Sequence, residues 1–121
     1  MQYALLYFET PTEYARRTGP DQDAYWGAWT TYMGMMHEKG VSQGGQALHP
    51  GQSTVVRSAG ADRIIEDGPF AEAREELGGF VIVDVPDLDA ALTYAQAAPC
   101  AAPGAGHVEV HPVLQMQTED A

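Results

Sequence analysis

The sequence predicts an α+β fold of the ferredoxin-like split βαβ type with one inserted β-hairpin. The apolar segments follow the order β-α-β twice once the hairpin is set aside. The chain has 121 residues, which suits one domain with a substantial core. We expect residues 1–116 to form this single domain and residues 117–121 to be a frayed acidic tail.

The first βαβ unit is predicted from residues 2–48. Residues 2–8 are almost entirely aromatic and aliphatic, which indicates a strand buried on both faces. Residues 9–19 read as a connector with at most a turn of helix, and we assign it no function. Aromatic and methionine side chains at helical spacing indicate a helix over residues 21–39, in which they are expected to form core. Residues 41–48 then form a strand that bends or bulges at Gly44-Gly45, where another backbone passes close.

The second half begins with a hairpin of residues 54–57 and 63–66. The segment Asp67-Gly68-Pro69 predicts a tight turn, followed by an acidic helical turn that Gly78-Gly79 ends. A buried strand follows at residues 80–85. Asp87 is the expected N-cap of a second helix that runs until Pro99, with Leu88, Ala91, Leu92 and Ala95 facing inward. Residues 108–116 complete the sheet.

Composition excludes several function classes. The chain carries 6 Lys and Arg against 17 Asp and Glu, for a net charge of −11, so phosphate backbones and anionic membranes would repel it. Its one cysteine, Cys100, makes no internal disulfide, and its apolar runs are too short to span a bilayer. We therefore expect a cytoplasmic protein with no nucleic-acid or membrane partner.

Alternation along the strands predicts two different sheet faces. One face is uniformly apolar and is expected beneath the helices: Ala4, Leu6, Phe8, Val81, Val83, Val85, Val108 and Val110. The other mixes aromatic and ionisable groups and is expected to line a ligand cavity: Tyr3, Leu5, Tyr7, Phe80, Ile82, Asp84, His107, Glu109, His111 and Val113. With the first strand between the third and fourth of the main sheet, Tyr7, Asp84 and Glu109 are expected to converge at one end.

Asp67 has two interpretations. An aspartate before Gly-Pro is commonly a structural turn cap, whose carboxylate accepts from amides two or three residues ahead. A general acid or base needs a carboxylate with a shifted pKa within reach of substrate. For metal binding, His107 and His111 lie four residues apart on a strand, about 13 Å, which is too far for one ion without other ligands. We expect no cofactor and no metal.

The segment Asp67-Gly-Pro-Phe70, continued by Glu72, Glu75 and Gly78-Gly79-Phe80, resembles the signature of the DGPF branch of the YCII-related proteins. Supporting pieces fall in the order of that family: Lys39-Gly40-Val41, Gly44-Gly45, Val85-Pro86-Asp87 and Val108-Glu109-Val110-His111-Pro112. The resemblance covers about residues 1–113.

This resemblance implies a dimeric α/β-barrel type of fold, and hence a homodimer. The wider family is associated with a catalytic His and Asp pair, but residues 25–29, where that histidine would lie, contain none. Only Asp67 matches the pair. His111 stands where members of the branch tend to have arginine, which leaves a pH-sensitive group in its place.

The function that the resemblance implies is a small cofactor-independent enzyme, lyase or dehalogenase-like, acting on a small cyclic or aromatic molecule in a dimer cavity. Asp67 would transfer the proton. The cavity would be lined by Tyr7, Phe70, Asp84, Glu109 and His111. The alternative is a non-catalytic metabolite-binding dimer, or a regulatory accessory dimer linked to sigma-factor systems.

Overall fold

The computed structural model of the protein describes residues 1–68 and 74–116. Within these ranges the chain forms six strands and three helices, with a short 3-10 helix at Pro99–Ala101. The strands are β1 (Gln2–Glu9), β2 (Ser42–Ala47), β3 (Thr54–Ala59), β4 (Asp62–Asp67), β5 (Glu76–Asp84) and β6 (Gly106–Pro112). The helices are α1 (Pro11–Ala15), α2 (Gln22–Glu38) and α3 (Leu88–Gln96).

Four strands form one antiparallel sheet in the order β2-β5-β1-β6, with β1 between β5 and β6. The strands β3 and β4 form a separate two-stranded hairpin inserted between β2 and β5. This arrangement confirms the predicted split βαβ fold with an inserted hairpin. No helix in the two described ranges is long and apolar enough to cross a membrane.

The core lies between one face of the sheet and the helices α2 and α3. Helix α2 contributes Tyr25, Trp29, Tyr32 and Met36, which confirms the helical spacing found in the sequence. Helix α3 contributes Ala91 and Ala95, and its Asp87 cap accepts a hydrogen bond from the Ala90 amide at 2.9 Å. The predicted cap is therefore confirmed.

The predicted face of β1 is wrong. Leu5 lies opposite both Val81 and Val110, and residues directly opposite in a sheet share a face. The core face of β1 is therefore Tyr3, Leu5 and Tyr7, all buried. Alternate residues of a strand face opposite sides of the sheet. Because both alternating sets of β1 are largely apolar, the sequence does not determine which set faces the helices, that is, the phase of β1.

Two further expectations are wrong. Glu76 and Gly78-Gly79 belong to strand β5, which begins before the predicted Phe80, so these glycines do not end a helical turn. Leu88 is 47% exposed although it lies on the same side of α3 as the buried Ala91 and Ala95, because it is the first residue of the helix and lies at the end of the packed face.

The predicted irregularity at Gly44-Gly45 is confirmed. Gly44 has a φ of 103°, and the register of β2 against β5 shifts between Ser42 and Gly45. A Cβ added at Gly45 would lie 2.0 Å from the Phe80 carbonyl oxygen. The two backbones therefore come together only because Gly45 has no side chain.

Candidate functional site

A cleft of about 580 Å³ lies between helix α2 and the β2–β5 edge of the sheet. Aromatic side chains of α2 form one wall, and glycines of β2 and β5 form much of the opposite wall. Gly34 of α2 also lines the cleft, and a Cβ there would meet no other atom within 4 Å. The space exists because several positions on both walls lack side chains. Its volume and apolar lining are those of a small-molecule site.

A buried ion pair forms one end of this cleft. Glu9, at the end of β1, is completely buried and pairs with Arg17, whose Nη2 lies 2.8 Å from its Oε1. Tyr25 of α2 donates its hydroxyl hydrogen to the other carboxylate oxygen of Glu9 and accepts a hydrogen bond from Arg17 Nε at 2.9 Å. Burial and the hydrogen bond to Glu9 raise the pKa of Tyr25, so it holds its proton at neutral pH.

Arg17 is held by backbone as well as by side chains. It donates to the carbonyl oxygens of Leu48 at 2.6 Å and Gly78 at 2.9 Å. With the bonds to Tyr25 and Glu9, four of its five donor hydrogens have partners. The guanidinium and the carboxylate also neutralise each other. The end of the cleft is therefore rigid, hydrogen-bonded and without net charge.

Gly78 makes room for this ion pair. A Cβ at that position would lie 2.8 Å from Arg17 Nη2 and 2.9 Å from Glu9 Oε1. The missing side chain lets the pair lie against strand β5, which gives the Gly78 position a packing role.

A tyrosine chain lies on the sheet side of the cleft. The Tyr32 hydroxyl donates to the Tyr94 carbonyl at 3.0 Å. Because a hydroxyl carries one hydrogen, Tyr7 must donate to Tyr32 across their 2.9 Å contact. Burial raises the pKa of Tyr32 to about 12 and raises that of Tyr7 further. Both therefore stay neutral and fix the orientation of the Tyr7 ring.

Of the predicted ligand-binding residues in the described ranges, Tyr7 lines the cleft and the other three lie elsewhere. Asp84 is exposed and pairs with the Met1 amine at 2.9 Å, five positions along β1 from Tyr7 in the register. Glu109 and His111 are opposite Leu6 and Ala4, on the sheet face away from the helices, and contact each other at 2.9 Å. The expected convergence of Tyr7, Asp84 and Glu109 is therefore wrong, because it depended on the wrong phase of β1.

Asp67 is the last residue of β4, opposite Thr54, and its side chain is exposed. It does not line the described cleft. The amides that its carboxylate was expected to meet, and the predicted ligand residue Phe70, fall within residues 69–73, outside the described residues. Its two interpretations both remain predictions.

The sequence interpretation missed Glu9 and Arg17. Both fall in the connector that was assigned no function. One signal was available, since Glu9 continues the two-residue period of Tyr3, Leu5 and Tyr7 and therefore faces the core. Tyr25 and Trp29 are core residues as predicted, and in addition they line the cleft.

The outer sheet face carries a second polar group. His107 Nδ1 lies 2.5 Å from Glu75 Oε1, and its ring stacks on Phe8 with centroids 4.5 Å apart. The His111 contact lowers the pKa of Glu109. Within residues 1–68 and 74–116, no group of three or more His, Cys, Asp or Glu is placed to hold a metal ion.

Comparison with solved structures agrees with this fold. The chain is similar to 5-chloro-2-hydroxyhydroquinone dehydrochlorinase from Burkholderia phenoliruptrix AC1100, solved in complex with 2,5-dihydroxybenzoquinone. The TM-score is 0.55 over 96% of each chain, at 14% sequence identity. At this identity the likeness concerns the fold.

Sequence comparison supplies the family. An uncharacterized protein of Rhizobium meliloti (strain 1021) is 39% identical over 61 residues. This match spans 50% of the present chain and 49% of the relative, so only about half the length of the relative is covered. The profile of the YCII-related domain matches residues 1–117, nearly the whole chain. The chain therefore belongs to the YCII-related domain family.

Proposed function

We propose that this protein is a small enzyme that binds a small aromatic or cyclic molecule in the cleft beside α2 and eliminates a leaving group from it without a cofactor. The observation that carries the proposal is the aromatic-walled cavity of about 580 Å³ that ends at the buried Glu9, Arg17 and Tyr25 cluster. An apolar cavity with a few converging polar groups is the usual form of a small-molecule site. The dehydrochlorinase with the similar fold supports a dehalogenase-like or lyase-like reaction of this kind.

The cluster suits proton transfer. Tyr25 donates to Glu9 and accepts from Arg17, which leaves one lone pair on its oxygen for a ligand hydroxyl. One ligand hydroxyl proton passes to the Tyr25 oxygen as the Tyr25 proton passes to Glu9. The electron pair left on that oxygen forms a carbonyl, and the ring carbon that bears the halogen takes up a proton from solvent and becomes tetrahedral. A second ring hydroxyl then loses its proton, its electron pair forms a second carbonyl by way of the ring double bond, and the halide departs with its bonding pair, so the net change is loss of one hydrogen halide. Arg17 stabilises the charge that develops in this water-poor site.

Two leucine substitutions in one helix test the cleft. Gly34 and Gly27 both lie in α2, and a Cβ at either position would meet no other atom within 4 Å. Leucine should stabilise the helix at either position by roughly 0.5–1 kcal/mol. Only Gly34 lines the cleft. Chloride release from a panel of chlorinated hydroquinones should therefore be lost in Gly34→Leu and kept in Gly27→Leu, with melting temperature unchanged or raised in both.

Tyr25→Phe tests the chemistry, because it removes the hydroxyl and keeps the ring. We expect chloride release to fall at least about a hundredfold while ring compounds still bind. Binding in the cleft without turnover of any compound in the panel would contradict the enzyme proposal and favour the non-catalytic metabolite-binding alternative.

Asp67 is proposed as a second proton-transfer group, since it is the residue that matches the family pair. Its exposed position at the end of β4 makes it testable without disturbing the core. Full chloride release by Asp67→Asn would leave it as a structural turn residue.

We also propose that the protein is a homodimer. The sheet face away from the helices carries partly exposed apolar side chains, among them Leu6, Phe80 and Ile82. Such a face is commonly buried by a second subunit. The cytoplasm is the proposed location, based on the composition and the single cysteine.

A further inference from the structure

The indole of Trp29 is held rigidly in the wall of the cleft. Its ring contacts Tyr7 edge to face, with centroids 4.9 Å apart, and Tyr32 in the same way at 5.8 Å. Trp29 is only 9% exposed. The indole therefore has one orientation, set by two tyrosine rings that are hydrogen-bonded to each other.

The Trp29 Nε1–H group has no hydrogen-bond partner among the residues that the structure describes. A buried donor without a partner costs about 1–3 kcal/mol, so such groups are rare in folded proteins. Three other polar side chains of the cleft wall have partners. Tyr7 donates to Tyr32, Tyr25 donates to Glu9, and Trp26 Nε1 donates to the Arg17 carbonyl at 3.1 Å. Among the described residues that line the cavity, Trp29 is the one whose buried side-chain donor has no partner.

We propose that Trp29 is the specificity-determining residue of the cleft, and that its Nε1–H donates to an acceptor oxygen on the bound ring. This inference rests on the proposed function and names the substrate class. The ligand must also offer an O–H group, because the Tyr25 oxygen has a lone pair left for a donor. The Glu9–Arg17 pair is neutral as a unit, so a ligand without charge suits the site. The class that meets these conditions is a planar hydroxylated ring with a carbonyl group.

Two matched probes test this class. The compounds 4-hydroxyacetophenone and 4-ethylphenol share a phenol ring and a two-carbon substituent, and they differ in the carbonyl oxygen. Calorimetric titration should show the carbonyl probe binding about fivefold to tenfold more tightly to the unmodified protein, as expected for one hydrogen bond. In Trp29→Phe the affinities for the two probes should become equal.

Trp26→Phe is the matched control. Trp26 lies in the same cleft, but its indole hydrogen already has a partner in the Arg17 carbonyl. This variant should keep the preference for the carbonyl probe. Persistence of that preference in Trp29→Phe would overturn the inference.

A second measurement uses the unmodified protein. The chain has 2 tryptophans, so its nitrogen-15 proton spectrum contains two indole signals, which Trp26→Phe assigns. The Trp29 signal should move downfield on addition of the carbonyl probe and much less with 4-ethylphenol. Binding of both probes without that difference in the Trp29 signal overturns the proposed hydrogen bond from Trp29 and leaves the proposed cleft for aromatic ligands standing. Failure of both probes to bind at millimolar concentration overturns the inference together with the proposed cleft for aromatic ligands.

Discussion

Replacement of Glu9 by glutamine should destabilise the protein far more than the same replacement at Glu13. Glu9 is completely buried, and both carboxylate oxygens accept from donors, one from Arg17 and one from Tyr25. Glutamine offers one acceptor oxygen and one NH₂ group, so one of those donors would face another donor. Arg17, whose side chain is 14% exposed, would also lose its counter-charge.

The expected cost follows from these contacts. Breaking a buried ion pair by removing one charge costs about 3–5 kcal/mol. Arg17 keeps its bonds to the Leu48 and Gly78 carbonyls, so we expect a value near the lower limit, about 3 kcal/mol. A domain of this size has roughly 5–15 kcal/mol of stability, so the variant should still fold.

Glu13→Gln provides the control. Glu13 is also buried, but its partner Arg16 has a 37% exposed side chain and keeps a second contact with Asp21 at 2.7 Å. The loss there should be below about 1 kcal/mol. Urea unfolding followed by circular dichroism should therefore separate the two variants by roughly 2 kcal/mol, with unchanged dependence on urea. Equal losses in both variants would refute the importance of the Glu9 pair.

Three more outcomes follow from the structure. Gly78→Ala should lower stability by roughly 1–3 kcal/mol in thermal unfolding, because its methyl group would lie 2.8 Å from Arg17, and an unchanged melting temperature would contradict that contact. Burial raises the pKa of Cys100 from 9.0 to about 12, so its thiolate fraction at pH 8 should be roughly a thousandfold below that of a free thiol. Because the unfolded chain releases this proton at lower pH than the folded protein does, the contribution of the buried thiol to stability should be lost as pH rises from 9.0 toward 12. Rapid alkylation of Cys100 in the native protein by iodoacetamide at pH 8, or a stability that does not change with pH over that interval, would contradict the raised pKa of Cys100. Light scattering at micromolar protein should give about 26 kDa, twice the chain mass of 13.0 kDa. Leu6→Glu should give a folded monomer, while Leu114→Glu, at a site 80% exposed, should stay dimeric. A mass of 13.0 kDa for the unmodified protein would contradict the dimer.

Local signals in the sequence predicted the elements and their order. The spacing of Tyr25, Trp29 and Met36 located α2, Asp87 located the start of α3, and Gly44-Gly45 located the bulge. Each of these features depends on residues near in sequence, whose chemistry can be interpreted without the fold.

Most of the candidate site could not be predicted from local sequence signals. Glu9, Arg17 and Gly78 meet through contacts between distant segments, and the cleft is defined by side chains that are missing from both walls. The phase of β1 decided which residues faced the helices, and its almost uniformly apolar sequence carried little information on phase. The wrong phase then placed Tyr7 with Asp84 and Glu109, on a face that it does not share.

The contacts of Arg17 also bear on how the chain folds and unfolds. Its partners lie 8, 31 and 61 residues away, at Glu9, Leu48 and Gly78. We expect the charges of Arg17 and Glu9 to stay hydrated until both distant carbonyls are in place, which assigns their desolvation to a late step of folding. Stabilisation that forms after the transition state slows unfolding and leaves the folding rate almost unchanged. The Arg17–Glu9 pair should therefore slow unfolding of the native state. Glu9→Gln should raise the unfolding rate, seen in the unfolding arm of the chevron plot, and leave the folding rate almost unchanged.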